Sequence, residues 1–156
     1  MKIPYGTQWI NDEDIENVVK TLKGDWLTQG PSVEEFEKKI CNYTGAKYAV
    51  AVNSGTAALH CAYYAVGLEK GDEIITSPIT FTATSNAAIY TGAFPVFCDI
   101  DMNTYCIDIE KIEEKITEKT KIITPVSYAG YPADIKKIKE IADKYNLTVV
   151  EDAAHA

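Results

Sequence analysis

The 156-residue chain is 46% apolar and 24% charged, an ordinary composition for a folded domain, and long enough to bury one core without requiring a second. Fifteen Lys and Arg against 23 Asp and Glu leave a net charge of -8, which argues against a surface built for nucleic acid or anionic lipid. No apolar run approaches the length of a membrane span, and the opening MKIPYGTQW lacks the apolar core of a signal peptide, so a cytoplasmic protein is expected.

In chain order, NDEDIENVVKTLKG (residues 11–24) places Ile15, Val18, Val19 and Leu22 at helical spacing, with acids in front and Gly24 behind. A second helix is expected over PSVEEFEKKICNYTG, opened by a Ser32–Glu35 capping box and stopped by Gly45. From there strands and helices alternate. KYAVAV (47–52) reads as a strand, GTAALHCAYYAVGL as a helix, DEIITSP as a strand and TATSNAAIYTG as a helix. FPVFCDI, a short helix over DIEKIEEKI, the strand TKIITPV, the helix ADIKKIKEIADKYN and the strand LTVVED complete the series. Short, nearly continuous apolar strands between helices predict an α/β fold, a mostly parallel sheet covered by helices on both faces. With no repeat or linker, one domain is expected over 1–156, its first two helices forming an arm across the sheet or a partner.

Cys41, Cys61, Cys98 and Cys106 form no C-x-x-C and read as reduced thiols serving as small hydrophobes. With only His60 and His155 beside them, a metal site has little to build on.

Three stretches carry chemistry. In VAVNSGTAALHCA a strand runs into Asn53-Ser54-Gly55-Thr56 and a helix starts at once; its free N–H groups suit a phosphate, Gly55 permits close approach, and Thr56 can add a hydroxyl. Simple N-capping by Ser54 or Thr56 would use the same residues. In TSPITFTATSNAA, Phe81 follows a strand end, placed either to stack on a flat ring or to pack in the core. In LTVVEDAAHA, Asp152 follows a strand; such an acid can hold a ring nitrogen protonated, as in enzymes using pyridoxal phosphate (PLP), or merely cap a turn, the role expected of Glu151. His155 can reach a cofactor substituent, whereas His60, in a helix, reads as a packed core histidine. Neither G-x-x-x-x-G-K-[ST] nor G-x-G-x-x-G follows any strand, which weakens a generic nucleotide-binding reading.

These three stretches, in this order, resemble the DegT/StrS-type PLP-dependent nucleotide-sugar aminotransferases, within fold type I of the PLP enzymes. The resemblance runs through WLTQGPSVEEFEKKICNYTGAKYAVAVNSGTAAL, GDEIITSPITFTATSNAAIYTGAFPVFCDID and TKIITPVSYAGYPADIKKIKEIADKYNLTVVEDAAHA. It implies that Gly55, Thr56 and Ala57 hold the cofactor phosphate, that Phe81 stacks on the pyridine ring, that Asp152 pairs with its nitrogen and that His155 approaches its phenolic oxygen. It further implies that Tyr5, Asp25, Trp26, Leu27 and Thr28 line the sugar-nucleotide site. VSYAGY and the closing HA look most like the enzymes of pseudaminic-acid synthesis, which move an amino group from glutamate to C4 of a UDP-linked 4-keto-6-deoxy-N-acetylhexosamine, releasing 2-oxoglutarate.

The family's Schiff-base lysine lies in a serine–histidine–lysine segment that this sequence does not contain. Lys121, Lys136, Lys137, Lys139 and Lys144 read as strand edges and solvated helix faces. Residues 1–156 are therefore expected to be the N-terminal portion of an incomplete large domain, without the C-terminal small domain and inactive alone; the complete enzyme is expected to be a homodimer. Two other readings are a non-catalytic fragment or half of a split enzyme, and a PLP-dependent sugar dehydratase of the same family.

Overall fold

A computed structural model describes residues 6–156, which divide into two units, one running to Ala51 and the other from Val52 to Ala156. In the first, α1 (Asp12–Leu22) begins where Asn11 and Asp14 satisfy each other's backbone N–H groups, with acids in the first turn at the positive end of the helix dipole. Helix α2 (Pro31–Thr44) starts earlier than the Ser32 box implied. Gly30 holds the cap position and Pro31 the first helical one, where a proline ring is preset for helical φ and its missing N–H leaves nothing unsatisfied. Gly45, at φ 76, ends the helix as expected. Neither helix contains a buried residue.

Residues 47–52, expected as a strand, form none. No described strand pairs with them, the Ala51 N–H is taken by the Glu37 carboxylate at 2.8 Å, and Val50 stays 79% exposed. An apolar, β-prone run without a neighbouring ladder is only a segment.

The second unit alternates as the sequence predicts: α3 (Gly55–Val66), β1 (Glu73–Thr76), α4 (Ala83–Thr91), β2 (Phe94–Phe97), β3 (Thr120–Thr124), α5 (Ile135–Tyr145) and β4 (Thr148–Val149). The helix expected over 108–116 is instead two three-residue 3-10 turns, Ile109–Lys111 and Glu113–Lys115. Asp108 caps the first through the Glu110 N–H, and the backbone turns extended at Ile116 before a full α-turn can propagate.

The four strands are parallel, in the order β2-β1-β3-β4. Alternation sends neighbouring isoleucines to opposite faces. Ile74 and Ile122 pack with Leu59, Tyr63 and the alanines of α4; Ile75 and Ile123 pack with Ile112, Ile138 and Ala142. All four central isoleucines are fully buried, each contributing about 1.5–3 kcal/mol of transfer free energy. Of the thiols, Cys98 and Cys106 are buried, Cys41 is half-buried and Cys61 is exposed. Among the described residues no helix is long and apolar enough to cross a membrane.

Candidate active site

Chain direction reverses across the sheet between β1 and β3: from β1 the chain moves outward to β2, then crosses back to β3 and on to β4. Side loops leave in opposite directions at such a point, opening a crevice outside the carboxyl ends of the strands. Those ends here are Thr76 and Thr124, tied by a 2.8 Å bond from the Thr76 hydroxyl to the Thr124 carbonyl. Helix α4 follows β1 and so begins at this edge, while α3 precedes β1 and so ends at the opposite edge, its first turn lying toward the crevice side.

Asp152 arrives at the same edge by an extension of the β3–β4 ladder. The register that pairs Ile122 with Thr148 and Ile123 with Val149 continues in a parallel bridge between Val126 and Asp152. The Asp152 N–H donates to Pro125 at 2.9 Å and its carbonyl accepts the Ser127 N–H at 3.1 Å, so the backbone of this acid is fixed on both sides. Its side chain is buried, with the residue only 7% exposed. Oδ2 accepts the Thr84 hydroxyl at 2.7 Å and Oδ1 accepts the Ala154 N–H at 3.2 Å. A carboxylate that accepts from two donors keeps lone pairs for a third partner.

Phe81 lies in the turn between β1 and α4 and is 71% exposed, which discards core packing for this ring. Its carbonyl accepts the Thr84 N–H at 3.2 Å, linking the aromatic to the residue that holds Asp152. At the start of α3, Ser54 takes the Ala57 N–H on its hydroxyl at 3.2 Å and the Ala58 N–H on its carbonyl at 3.0 Å. Ser54 is therefore the cap, and the Gly55 and Thr56 N–H groups are the donors that a helix start leaves without an internal partner. No hydrogen bond among the described residues joins Gly55, Thr56 or Ala57 directly to Phe81, Asp152 or His155; the connection runs along α3 to Tyr63.

His155 is exposed, with its ring edge-on to Tyr128 at 5.9 Å and its Nδ1 accepting the Ala129 N–H at 3.3 Å. An accepting Nδ1 places the proton of the neutral ring on Nε2, leaving that nitrogen a donor. Asp25 and Trp26 line a groove of about 480 Å³ between α1 and α2 in the first unit, where Leu27 and Thr28 are also exposed. Tyr5 lies outside the described residues. His60 is half-buried and meets Tyr90 edge-on at 5.6 Å, at the surface and not in the core as expected.

Sequence reading missed Thr84, Tyr63 and Ser127. The Tyr63 hydroxyl lies 3.1 Å from both the Thr84 carbonyl and the Thr124 hydroxyl, and burial, partly offset by the Thr124 bond, pushes its phenol up to about 12. Ser127, buried, donates to Glu151 and accepts the Ala133 N–H at 3.2 Å, so Glu151 fastens the Ser127–Ala133 loop instead of only capping a turn. The available signal was placement: Thr84 falls in the first turn after Phe81, and Ser127 directly follows an apolar strand.

A profile of the DegT/DnrJ/EryC1/StrS aminotransferase family matches residues 8–156, nearly the whole chain. The chain belongs to this family. It is 49% identical over 154 residues to the spore coat polysaccharide biosynthesis protein SpsC of Bacillus subtilis, covering 99% of this chain and 40% of SpsC. Among solved structures, it matches Helicobacter pylori PseC, an aminotransferase of pseudaminic-acid biosynthesis, with a TM-score of 0.94 and 35% identity over 100% of this chain and 42% of that one. NtdA of Bacillus subtilis, solved with bound PMP, matches with a TM-score of 0.87 and 40% identity over 92% of this chain and 34% of that one. The family and these folds are those of PLP-dependent aminotransferases, with PLP and its aminated form PMP as the cofactor. The chain spans about two-fifths of the length of the relatives it matches.

Proposed function

We propose that this chain carries the cofactor-holding part of an aminotransferase that aminates a nucleotide-linked keto-sugar. The observation that carries the reading is Asp152, a buried carboxylate at the carboxyl edge of a parallel sheet, held by hydroxyl and amide donors and, among the described residues, by no cation. The donor set suits PLP: an acid for a ring nitrogen, an exposed aromatic face for a flat ring, and unpaired N–H groups at a helix start for a phosphate. Bound PLP supplies an electron sink for the α-carbon of an amine.

On this reading Asp152 holds a proton at the ring nitrogen. The Gly55 and Thr56 N–H groups bind the phosphate beside Ala57, whose own N–H the Ser54 hydroxyl holds, Phe81 orients the ring by stacking, and His155 donates from Nε2 to the phenolic oxygen. Support for the pseudaminic-type reading comes from VSYAGY and the closing HA, where the Ala129 N–H donates to the His155 imidazole and the Tyr128 ring lies edge-on to it. Glutamate as amino donor, a UDP-linked 4-keto-6-deoxy-N-acetylhexosamine as acceptor, a sugar site including Tyr5 and Asp25–Thr28, a homodimer and a cytoplasmic setting complete the proposal. Residues 1–156 then form the first part of the large domain.

Two measurements test it. PLP titrated into the 156-residue chain is expected to form a saturable complex that borohydride does not fix covalently; no saturable binding would contradict the reading. Purified alone, the chain is expected to show no glutamate-dependent transamination. In the second unit, Lys111, Lys137, Lys139 and Lys144 are paired with acids on the surface, and Lys119 and Lys121 stand at the amino end of β3, away from Asp152. Steady turnover would show that one of the lysines present does serve.

A further inference from the structure

Beside Asp152 runs a set of hydroxyl groups: Thr84 on α4, fully buried, with Thr80 half-buried outside it, and Tyr63 on α3 with Thr124 on β3 behind it. Counting protons fixes the direction of these bonds. An ionised carboxylate only accepts, so the 2.7 Å contact with Asp152 Oδ2 takes the single hydroxyl proton of Thr84. The 2.6 Å contact between the Thr80 and Thr84 hydroxyls must then be donated by Thr80. The Phe81 carbonyl, 3.1 Å from the Thr84 hydroxyl, is left to the Thr84 N–H.

The other end of Thr84 is fixed as well. Its carbonyl cannot donate, so the 3.1 Å contact with Tyr63 uses the phenol proton, and the Tyr63 hydroxyl also lies 3.1 Å from that of Thr124. A threonine serving only its own helix would sit in solvent and bond back to the preceding turn. Thr84 is instead buried, anchored to α3 through its backbone and aimed at Asp152 through its hydroxyl.

We propose that Thr84 is the positioning residue of Asp152: its hydroxyl, oriented by Thr80, fixes Oδ2 so that the remaining acceptor capacity of the carboxylate meets the cofactor's ring nitrogen. This deepens the reading of Asp152 given above and rests on it. Thr84 touches neither the ring nor the substrate; it acts through the acid. A run of aligned hydroxyls holds a carboxylate more tightly than one bond does, because each bond polarises the next.

The test uses the full chain, PLP labelled with ¹⁵N in the ring, and four proteins: wild type, Thr84→Val, Thr84→Ser and Thr80→Val. Thr84→Val is expected to weaken PLP binding about tenfold, the size of one hydrogen bond to a charged group, and to move the ring-nitrogen resonance toward that of unprotonated pyridine. Thr84→Ser restores both readouts, and Thr80→Val moves both in the same direction by less. A Thr84→Val protein that binds PLP with wild-type affinity and resonance overturns the proposal. If that variant fails to fold, Thr80→Val decides, and an unchanged affinity and resonance overturn it equally. Failure of the wild type to bind PLP would instead bring down the parent reading of the site.

Discussion

Helices α1 and α5 are each 11 residues long and carry the same apolar spacing, yet they end in opposite environments. Helix α5 buries Ile138 and Ala142 against the sheet, while Ile15, Val18, Val19 and Leu22 of α1 are all exposed. Segments 47–52 and 120–124 make the same contrast among extended runs: both are apolar, but only the second has neighbours on both sides and becomes a strand. Periodicity states which face of an element is apolar. What lies against that face is a property of the rest of the fold, and among the described residues of the first unit nothing buries it.

The sharpest way to break this contrast is a pair of equivalent truncations. Ile138→Ala removes a fully buried side chain and is expected to cost about 2–5 kcal/mol in urea unfolding of the chain. Tyr63 offers an intermediate effect specific to the packed unit. Its phenol is raised from 10.0 to about 12 by burial, so the folded state keeps a proton that the unfolded state has lost. Stability from this group is complete below the unfolded value and declines as pH rises from 10 toward 12. The expected loss is about 2 kcal/mol across that window, read as a fall in urea midpoint that is smaller by that amount in Tyr63→Phe; burial also pushes the Cys98 thiol up to about 11, so part of the slope stays. A slope unchanged in Tyr63→Phe would assign the effect elsewhere. The smallest change belongs to α1, where Val18→Ala is expected within about 0.5 kcal/mol of wild type. Should Val18→Ala cost as much as Ile138→Ala, the face of α1 is covered in solution and the contrast fails.

Much of the second unit is legible from sequence because local and global signals agree there. Gly67, Gly92 and Asn146 close their helices in left-handed geometry, and short isoleucine-rich runs have room only inside a two-faced sheet. The errors fall where a local signal lacked its partner or met a stronger one. Pro31 outranks Ser32 as the marker of a helix start, and residues 108–116 have helical spacing but too little length for an α-helix. In the site, Asp152, Phe81 and the start of α3 are readable because each stands just outside a strand or helix end. Thr84 and Tyr63 are not, since a threonine inside a helix and a tyrosine in an apolar run look like packing. Their role exists only through bonds spanning 68 and 61 residues, from Thr84 to Asp152 and from Tyr63 to Thr124.

The central claim is that Asp152 is the acid that meets a cofactor ring nitrogen. Asp152→Asn keeps the size of the side chain and removes its charge, so PLP titration of this variant beside wild type, with urea unfolding to confirm an intact fold, addresses it directly. A loss of at least about tenfold in PLP affinity is expected, as for a charge-assisted hydrogen bond removed from a buried site. Equal affinity in the two folded proteins would contradict the account.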